Sequence, residues 1–129
     1  MEIILLNNSE SPIYEQIQEQ IKNMILSGEL KEGEALPSMR LLAKDLRISI
    51  ITTKRAYEEL EREGYIESYT GKGSFVKRIN RQMARESVMY EIEALFDEIL
   101  KKAELVGVTK EELTEIFQIL CEEREKQNG

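Results

Sequence analysis

Two short stretches hold the residues best suited to chemistry, and that chemistry is the binding of a polyanion. Between Arg40 and Arg55 stand five basic residues, Arg40, Lys44, Arg47, Lys54 and Arg55, against one acid, Asp45. Three hydroxyls, Ser49, Thr52 and Thr53, lie among them. Between Ser68 and Ile79 stand Lys72, Lys77 and Arg78 with no acid, and Lys72 sits between Gly71 and Gly73. Guanidinium and ammonium groups suit phosphate oxygens, and hydroxyls can donate to phosphates or to base edges. The rest of the chain is of opposite character. From Arg81 to Gly129 there are twelve acids and seven bases, and the net charge of the 129-residue chain is −7. An acidic total alone argues against a nucleic-acid partner. Its partition describes a molecule attracted at one face and repelled at the others.

Other chemistries are poorly supplied. There is no histidine and a single cysteine, Cys121. These counts remove an intrachain disulfide, the usual zinc sites and the histidine-based triads. Carboxylates and lysines remain, but no motif organises them into a catalytic site. Gly71-Lys72-Gly73 is not a phosphate-binding loop of the nucleotide-hydrolase kind. The acids of the tail lack calcium-loop spacing. The expectation is a non-enzyme with no metal and no cofactor. Cys121, followed by Glu122 and Glu123, reads as a small core residue ahead of a redox sensor, since a reactive thiol wants a positive neighbourhood. No apolar run approaches the roughly 20 residues needed to cross a bilayer. The apolar run Ile3–Leu6 lacks the basic start of a secretory signal, so a cytoplasmic protein is expected.

The elements that must position the basic residues follow from spacing. Residues 1–10 read as an arm or edge strand. Ser11-Pro12 predicts a helix start with Ser11 as N-cap, and Ile13, Ile17, Ile21, Met24 and Ile25 form its buried stripe. Ser27-Gly28 ends it. Gly33 turns a connector in which Ala35-Leu36 can form a short strand. Ser38 predicts the N-cap of a second helix with Leu41, Leu42 and Leu46 inward. Ser49 predicts the N-cap of a third, with Thr53, Ala56, Tyr57 and Leu60 inward and Gly64 at its end. Tyr65–Thr70 and Ser74–Ile79 read as strands joined by the Gly-Lys-Gly tip, where glycines permit positive φ. This order of short helix, tight turn, second helix and ribbon is the plan of a winged helix-turn-helix.

The tail is helical. Met89, Ile92, Phe96, Ile99 and Ala103 recur by threes and fours, and Gly107 breaks the pattern. Thr109 and Glu112 predict a capping box, and Val108 with Leu113 a hydrophobic staple, for a last helix with Leu113, Ile116, Phe117, Leu120 and Cys121 on its apolar face. Two helices shelter two such stripes poorly, so a symmetric partner is expected to bury Met89, Ile92, Phe96, Ile99, Leu113, Ile116, Phe117 and Leu120.

Taken together, Ser27-Gly28, Gly33, LPSMRLLA at Leu36–Ala43, the TTKRAYEELEREGYIES run at Thr52–Ser68 and GKGSFV at Gly71–Val76 resemble the GntR family of bacterial transcription regulators over Pro12 to about Ile79. The short two-helix tail resembles the YtrA-type branch of that family. The resemblance implies a homodimer that binds a partly palindromic operator, usually as a repressor. The chain departs from it at Ile50-Ile51, where many relatives place polar residues. The expected fold is mainly α with a small β-wing: residues 1–79 a winged helix-turn-helix, residues 80–129 a helical dimerisation tail.

The residues expected to meet double-stranded DNA are Ser38, Arg40, Ser49, Ile50, Thr52, Thr53, Lys54, Arg55, Thr70, Gly71, Lys72 and Gly73. Arg40 opposes the dipole of its helix, which favours an external anion over a solvated role. Ser49 caps a helix and can also donate to a phosphate. Thr52 and Lys54 are better placed for the groove than Thr53, which shares the inward stripe. Arg55 can instead pair with Glu58 or Glu59. A small-molecule effector, if the protein has one, would change the relative placement of two readers from a site at the dimer interface or between reader and tail. The rival to a DNA reader is a winged helix that docks proteins; the acid-free wing argues against it.

Overall fold

The computed structural model describes residues 1–128, and its contacts group into two compact units, residues 1–84 and residues 85 onward. The first unit holds α1 (Ile13–Ser27), α2 (Met39–Leu46), α3 (Ile50–Arg62), β1 (Ile66–Tyr69) and β2 (Gly73–Val76), and the first turn of α4 (Arg81–Val106). The remainder of α4 and α5 (Lys110–Asn128) make the second. This grouping puts residues 80–84 with the first unit, where Arg81 reaches the end of α1. Its guanidinium donates to the carbonyl oxygens of Leu26 (2.6 Å) and Ile25 (3.3 Å).

In the first unit α3 is the hub, packed against α1, α2 and β1. The i, i+4 stripe Ile17, Ile21 and Ile25 meets Ala56, Tyr57 and Leu60, and Leu42, Leu30, Leu36, Ile66 and Val76 close the core. Two expectations shift by a residue. Pro12, extended at ψ 154°, occupies the N-cap position of α1 with no side-chain cap, so Ser11 does not cap the helix. Leu41 is half-exposed, and Ala43 joins Leu42 in the core instead, because an eight-residue helix turns only one narrow face to α3.

The strands pair antiparallel with Ile66 opposite Val76 and Tyr69 opposite Gly73. The connector adds a third, brief partner. Leu36 donates to Ser74 (2.9 Å), Val76 to Glu34 (2.9 Å) and Gly33 to Val76 (2.8 Å), and Ala35 bridges to Phe75. The N-terminal arm lies against α1 in an unusual way. Gln16 and Gln20, one turn apart, use their side-chain amides as a strand would use its backbone. Each exchanges two hydrogen bonds of 2.7–2.9 Å, Gln20 with Ile4 and Gln16 with Leu6. That holds Ile3 and Leu5 on the core.

In the second unit α4 stops at Gly107 (φ 72°), with Val108 N–H bonded back to Ala103 O at 2.9 Å. Thr109 then caps α5: its Oγ1 accepts from Glu112 N–H at 3.2 Å and lies 3.3 Å from Glu112 Oε1. Ala103 is the only buried residue described in either helix of this unit.

Candidate nucleic-acid interface

Local chemistry builds the α2–turn–α3 segment with little freedom. Ser38 Oγ accepts from Leu41 N–H at 3.1 Å and starts α2. Arg47, at φ 57°, takes the left-handed position that ends it. The amide of Ile48 reaches back to Ala43 O at 3.0 Å. Ser49 then starts α3, its Oγ accepting from Thr52 N–H at 3.0 Å and sharing a 2.8 Å hydrogen bond with Thr52 Oγ1. The turn is thus three residues long, Arg47 to Ser49, between two capped helices.

One part-buried bond ties α3 to the segment that leads into α2. Tyr57, 1% exposed on α3, donates its hydroxyl to Pro37 O at 2.7 Å, immediately before the cap of α2. Burial pushes its ionisation well above the ordinary tyrosine value of 10.0. The sequence marks Tyr57 as an inward residue; its polar end bonds the segment that leads into α2.

Around this frame the basic groups face solvent. Arg40, Lys44, Arg47 and Lys72 are exposed, and among the described residues no ion pair engages them. Lys54 reaches Glu58 at 3.8 Å across exposed helix surface, a pair that DNA phosphates can replace at little cost. No acid occupies the first turn of α2 or of α3. The wing projects Thr70, Gly71, Lys72 and Gly73 as an exposed tip, closed by Lys72 N–H to Tyr69 O at 2.9 Å. Gly71 and Gly73 have φ of 78° and 105°, which explains why glycine brackets the lysine. Behind the tip, Tyr69 donates to the Glu67 carboxylate, and that bond raises its ionisation. Lys77 lies 4.0 Å from the same carboxylate, so it is partly neutralised where Lys72 is not.

Two of the twelve expected DNA-contact residues have other work. Thr53 is 0% exposed, with its hydroxyl donated to Ser49 O at 3.3 Å, so it is a core residue that cannot touch a duplex. Arg55 stacks over the Tyr14 ring at 4.0 Å, rather than pairing with Glu58 or Glu59. Those acids pair with Lys54 and Arg62. Ser38, Arg40, Ser49, Ile50 and Lys54 are exposed together on α2 and α3, with Thr52 half-buried beside Ser49. Ile51, absent from the expected set, is 81% exposed, against 43% for Ile50.

The tail presents the opposite surface. Met89, Ile92, Phe96, Ile99, Ile116, Phe117 and Leu120 are all between 38% and 56% exposed, while Leu113 is half-buried. Phe96, Ile99, Leu100, Leu113, Phe117 and Leu120 line an apolar groove of about 530 Å³ between α4 and α5.

A family model described as bacterial regulatory proteins, gntR family, matches residues 13–76, the stretch from α1 to the end of β2. The HTH-type transcriptional repressor YtrA of Bacillus subtilis is 38% identical over 107 residues, covering 83% of this chain and 82% of the repressor. The chain belongs to the gntR family. Two solved structures extend the likeness. A transcriptional regulator from Oenococcus oeni superposes with a TM-score of 0.72 at 26% identity, covering 91% of this chain and 97% of its own, tail included. The DNA-binding domain of AraR in complex with operator ORX1 superposes with a TM-score of 0.53 at 25% identity, covering 59% of this chain and 95% of its own. The gntR-family match ends at the wing. The tail's likeness rests on YtrA and the Oenococcus regulator, whose coverage runs past residue 76.

Proposed function

We propose that this chain, a DNA-binding transcriptional regulator of the gntR family, acts as a homodimer that occupies the two half-sites of a partly palindromic operator and represses by blocking the promoter. The observation that carries the reading is the first turn of α3. It presents Ser49 and Lys54 to solvent, with Thr52 half-buried beside Ser49 and no acid in that turn, and among the described residues the exposed Arg40, Arg47 and Lys72 have no ion pair. Helix-turn-helix readers place this part of the second helix against base edges, while flanking cations hold phosphates. AraR, similar to this chain over its reader, was solved on an operator. The tail supports the dimer: an apolar groove lined by Phe96, Phe117 and Leu120 is the right surface to receive the same helices of a second copy. Dimerisation would involve Met89, Ile92, Ile99, Leu113 and Ile116 as well. The chain's work is binding, not catalysis, and it stays in the cytoplasm; among the described residues no helix is long and apolar enough to cross a membrane.

The test is selection from a pool of random-sequence duplexes. A two-fold-symmetric motif is expected, its half-site spacing reporting the separation of two recognition helices. Affinity for it should fall steeply between about 50 and 200 mM salt, as roughly 6–10 phosphate contacts require. Absence of any enriched motif, in buffer and in cell extract alike, would overturn the reading in favour of a protein-docking winged helix.

A further inference from the structure

The first turn of α3 carries an apolar group where a DNA reader would be expected to carry polar ones. Ile51 is 81% exposed, and Ile50 beside it is 43% exposed. At 100° per residue, Ile51 lies opposite the inward stripe Thr53, Ala56, Tyr57 and Leu60 and makes no contribution to the core. Most of its exposed neighbours along the chain are polar or basic. Thr52, Lys54 and Arg55 follow it around the buried Thr53, the hydroxyl of Ser49 precedes it, and α2 and the turn carry the exposed Arg40 and Arg47 beside the half-exposed Leu41. An isoleucine in this setting can take no hydrogen bond from a base. The major groove has one apolar feature, the C5-methyl group of thymine. Every other base edge there is a donor or an acceptor that Ile51 would strip of water without replacement.

We propose that Ile51 is a specificity-determining residue that reads a thymine methyl group in each half-site of the operator. The inference rests on the DNA-reading function proposed above and adds the base it selects. The mechanism is double-sided. Burying the methyl against the isoleucine side chain favours a thymine. A G·C pair at the same place leaves polar edges unpaired and is disfavoured.

The experiment uses the full chain and the selected operator. Each thymine is replaced in turn by deoxyuridine, which removes one methyl group and changes nothing else in base pairing. At one thymine in each half-site, the substitution should weaken wild-type binding about fourfold, the weight of one buried methyl group. For Ile51→Ala the same substitution should have no effect, while the protein keeps its wild-type melt and its response to salt. Ile51→Val should retain part of the discrimination. Ile51→Asn, which can pair with adenine N6 and N7, should move the selected base at that position to adenine. An operator bound specifically by wild type, with no thymine whose methyl effect depends on residue 51, would overturn the assignment and leave the DNA-reading function standing. A chain that enriches no duplex at all would overturn both.

Discussion

The hydroxyl of Tyr57 ties α3 to the segment before α2, and Tyr57→Phe removes it while keeping the ring. The side chain is 1% exposed and its 2.7 Å bond to Pro37 O joins two segments twenty residues apart. Deleting the donor forfeits the bond and leaves a half-buried carbonyl without it, a loss of about 1–2 kcal/mol at pH 7. For a unit of this size that is roughly 4–8 °C of melting temperature per kcal/mol. The pH dependence gives a second, sharper check. In the unfolded chain Tyr57 ionises near its ordinary value of 10.0, whereas burial raises its folded value well above that. The folded state therefore keeps a proton that the unfolded state loses. The stabilising contribution is intact below pH 10 and is lost as pH rises from there through the folded value. The slope is about 1.4 kcal/mol per pH unit. Phenylalanine carries no such term. The advantage of wild type over Tyr57→Phe should thus hold from pH 7 to 9 and vanish near pH 11, with the other tyrosines and lysines cancelling in the difference. Denaturant melts of both proteins at intervals of half a pH unit measure it. A variant as stable as wild type at pH 7, or a gap that stays constant through pH 11, would refute the account of this bond.

Arg40→Ala and Lys54→Ala should each weaken operator binding and lower the salt slope by about one, leaving the melt and self-association nearly unchanged; loss of folding or of the dimer would remove that residue from the DNA interface. Arg47→Gly should stabilise the fold by about 0.5–1 kcal/mol, because an arginine at φ 57° is strained where glycine is not, while costing one cation at the turn. A drop in stability would mean that the Arg47 side chain holds the turn together. In Gln16→Ala/Gln20→Ala the amides of Ile4 and Leu6 should lose protection from hydrogen exchange, since those glutamines are their hydrogen-bond acceptors; retained protection would mean that another group holds the arm. Phe117→Asp should convert the chain to a monomer by sedimentation and cut operator affinity by a large factor, with the reader's own fold intact. A variant that stays dimeric would place the interface elsewhere.

Most of the reader could be seen in the sequence because its devices are local. Serine before an apolar stripe named both caps of the helix-turn-helix, and the bonds of Ser38 and Ser49 are where such caps should be. Gly-Lys-Gly named the wing tip. What could not be seen depends on tertiary contact. The stacking of Arg55 on Tyr14 joins residues forty-one positions apart, and no pattern in either helix announces it. The glutamine clasp on the arm substitutes side-chain amides for a strand, which leaves no periodic trace. Spacing puts Tyr57 in the core but says nothing of where its buried hydroxyl finds an acceptor. Thr53 shows a conflict that burial resolves: its place in the first turn suggested the groove, its place on the inward stripe suggested the core, and the core has it. Ile50 and Ile51 both depart from a polar reader, and nothing in the sequence tells which of the two faces solvent more fully. The fold separates them, with Ile51 81% exposed and Ile50 43%.

Charge explains why exposed apolar side chains mean different things at the two ends of the chain. Residues 1–84 carry twelve basic and thirteen acidic residues, nearly balanced, with the bases gathered on α2, α3 and the wing. Residues 85–129 carry six basic and twelve acidic residues. A tail of that sign is repelled by a phosphate backbone, so Phe96, Phe117 and Leu120 cannot be a second DNA surface. Their exposure calls for a partner that tolerates negative charge. Two such tails also repel one another, but surface charges more than a Debye length apart, about 10 Å at 0.1 M salt, are largely screened. Each half-exposed Leu, Ile or Phe that becomes buried returns about 1 kcal/mol. In the proposed dimer, added salt would therefore act on the two interfaces in opposite directions. It would release the cations of α2, α3 and the wing from phosphate, and it would relieve repulsion between the tails. A molecule partitioned in this way should leave DNA as a dimer when salt rises, not as two separated chains.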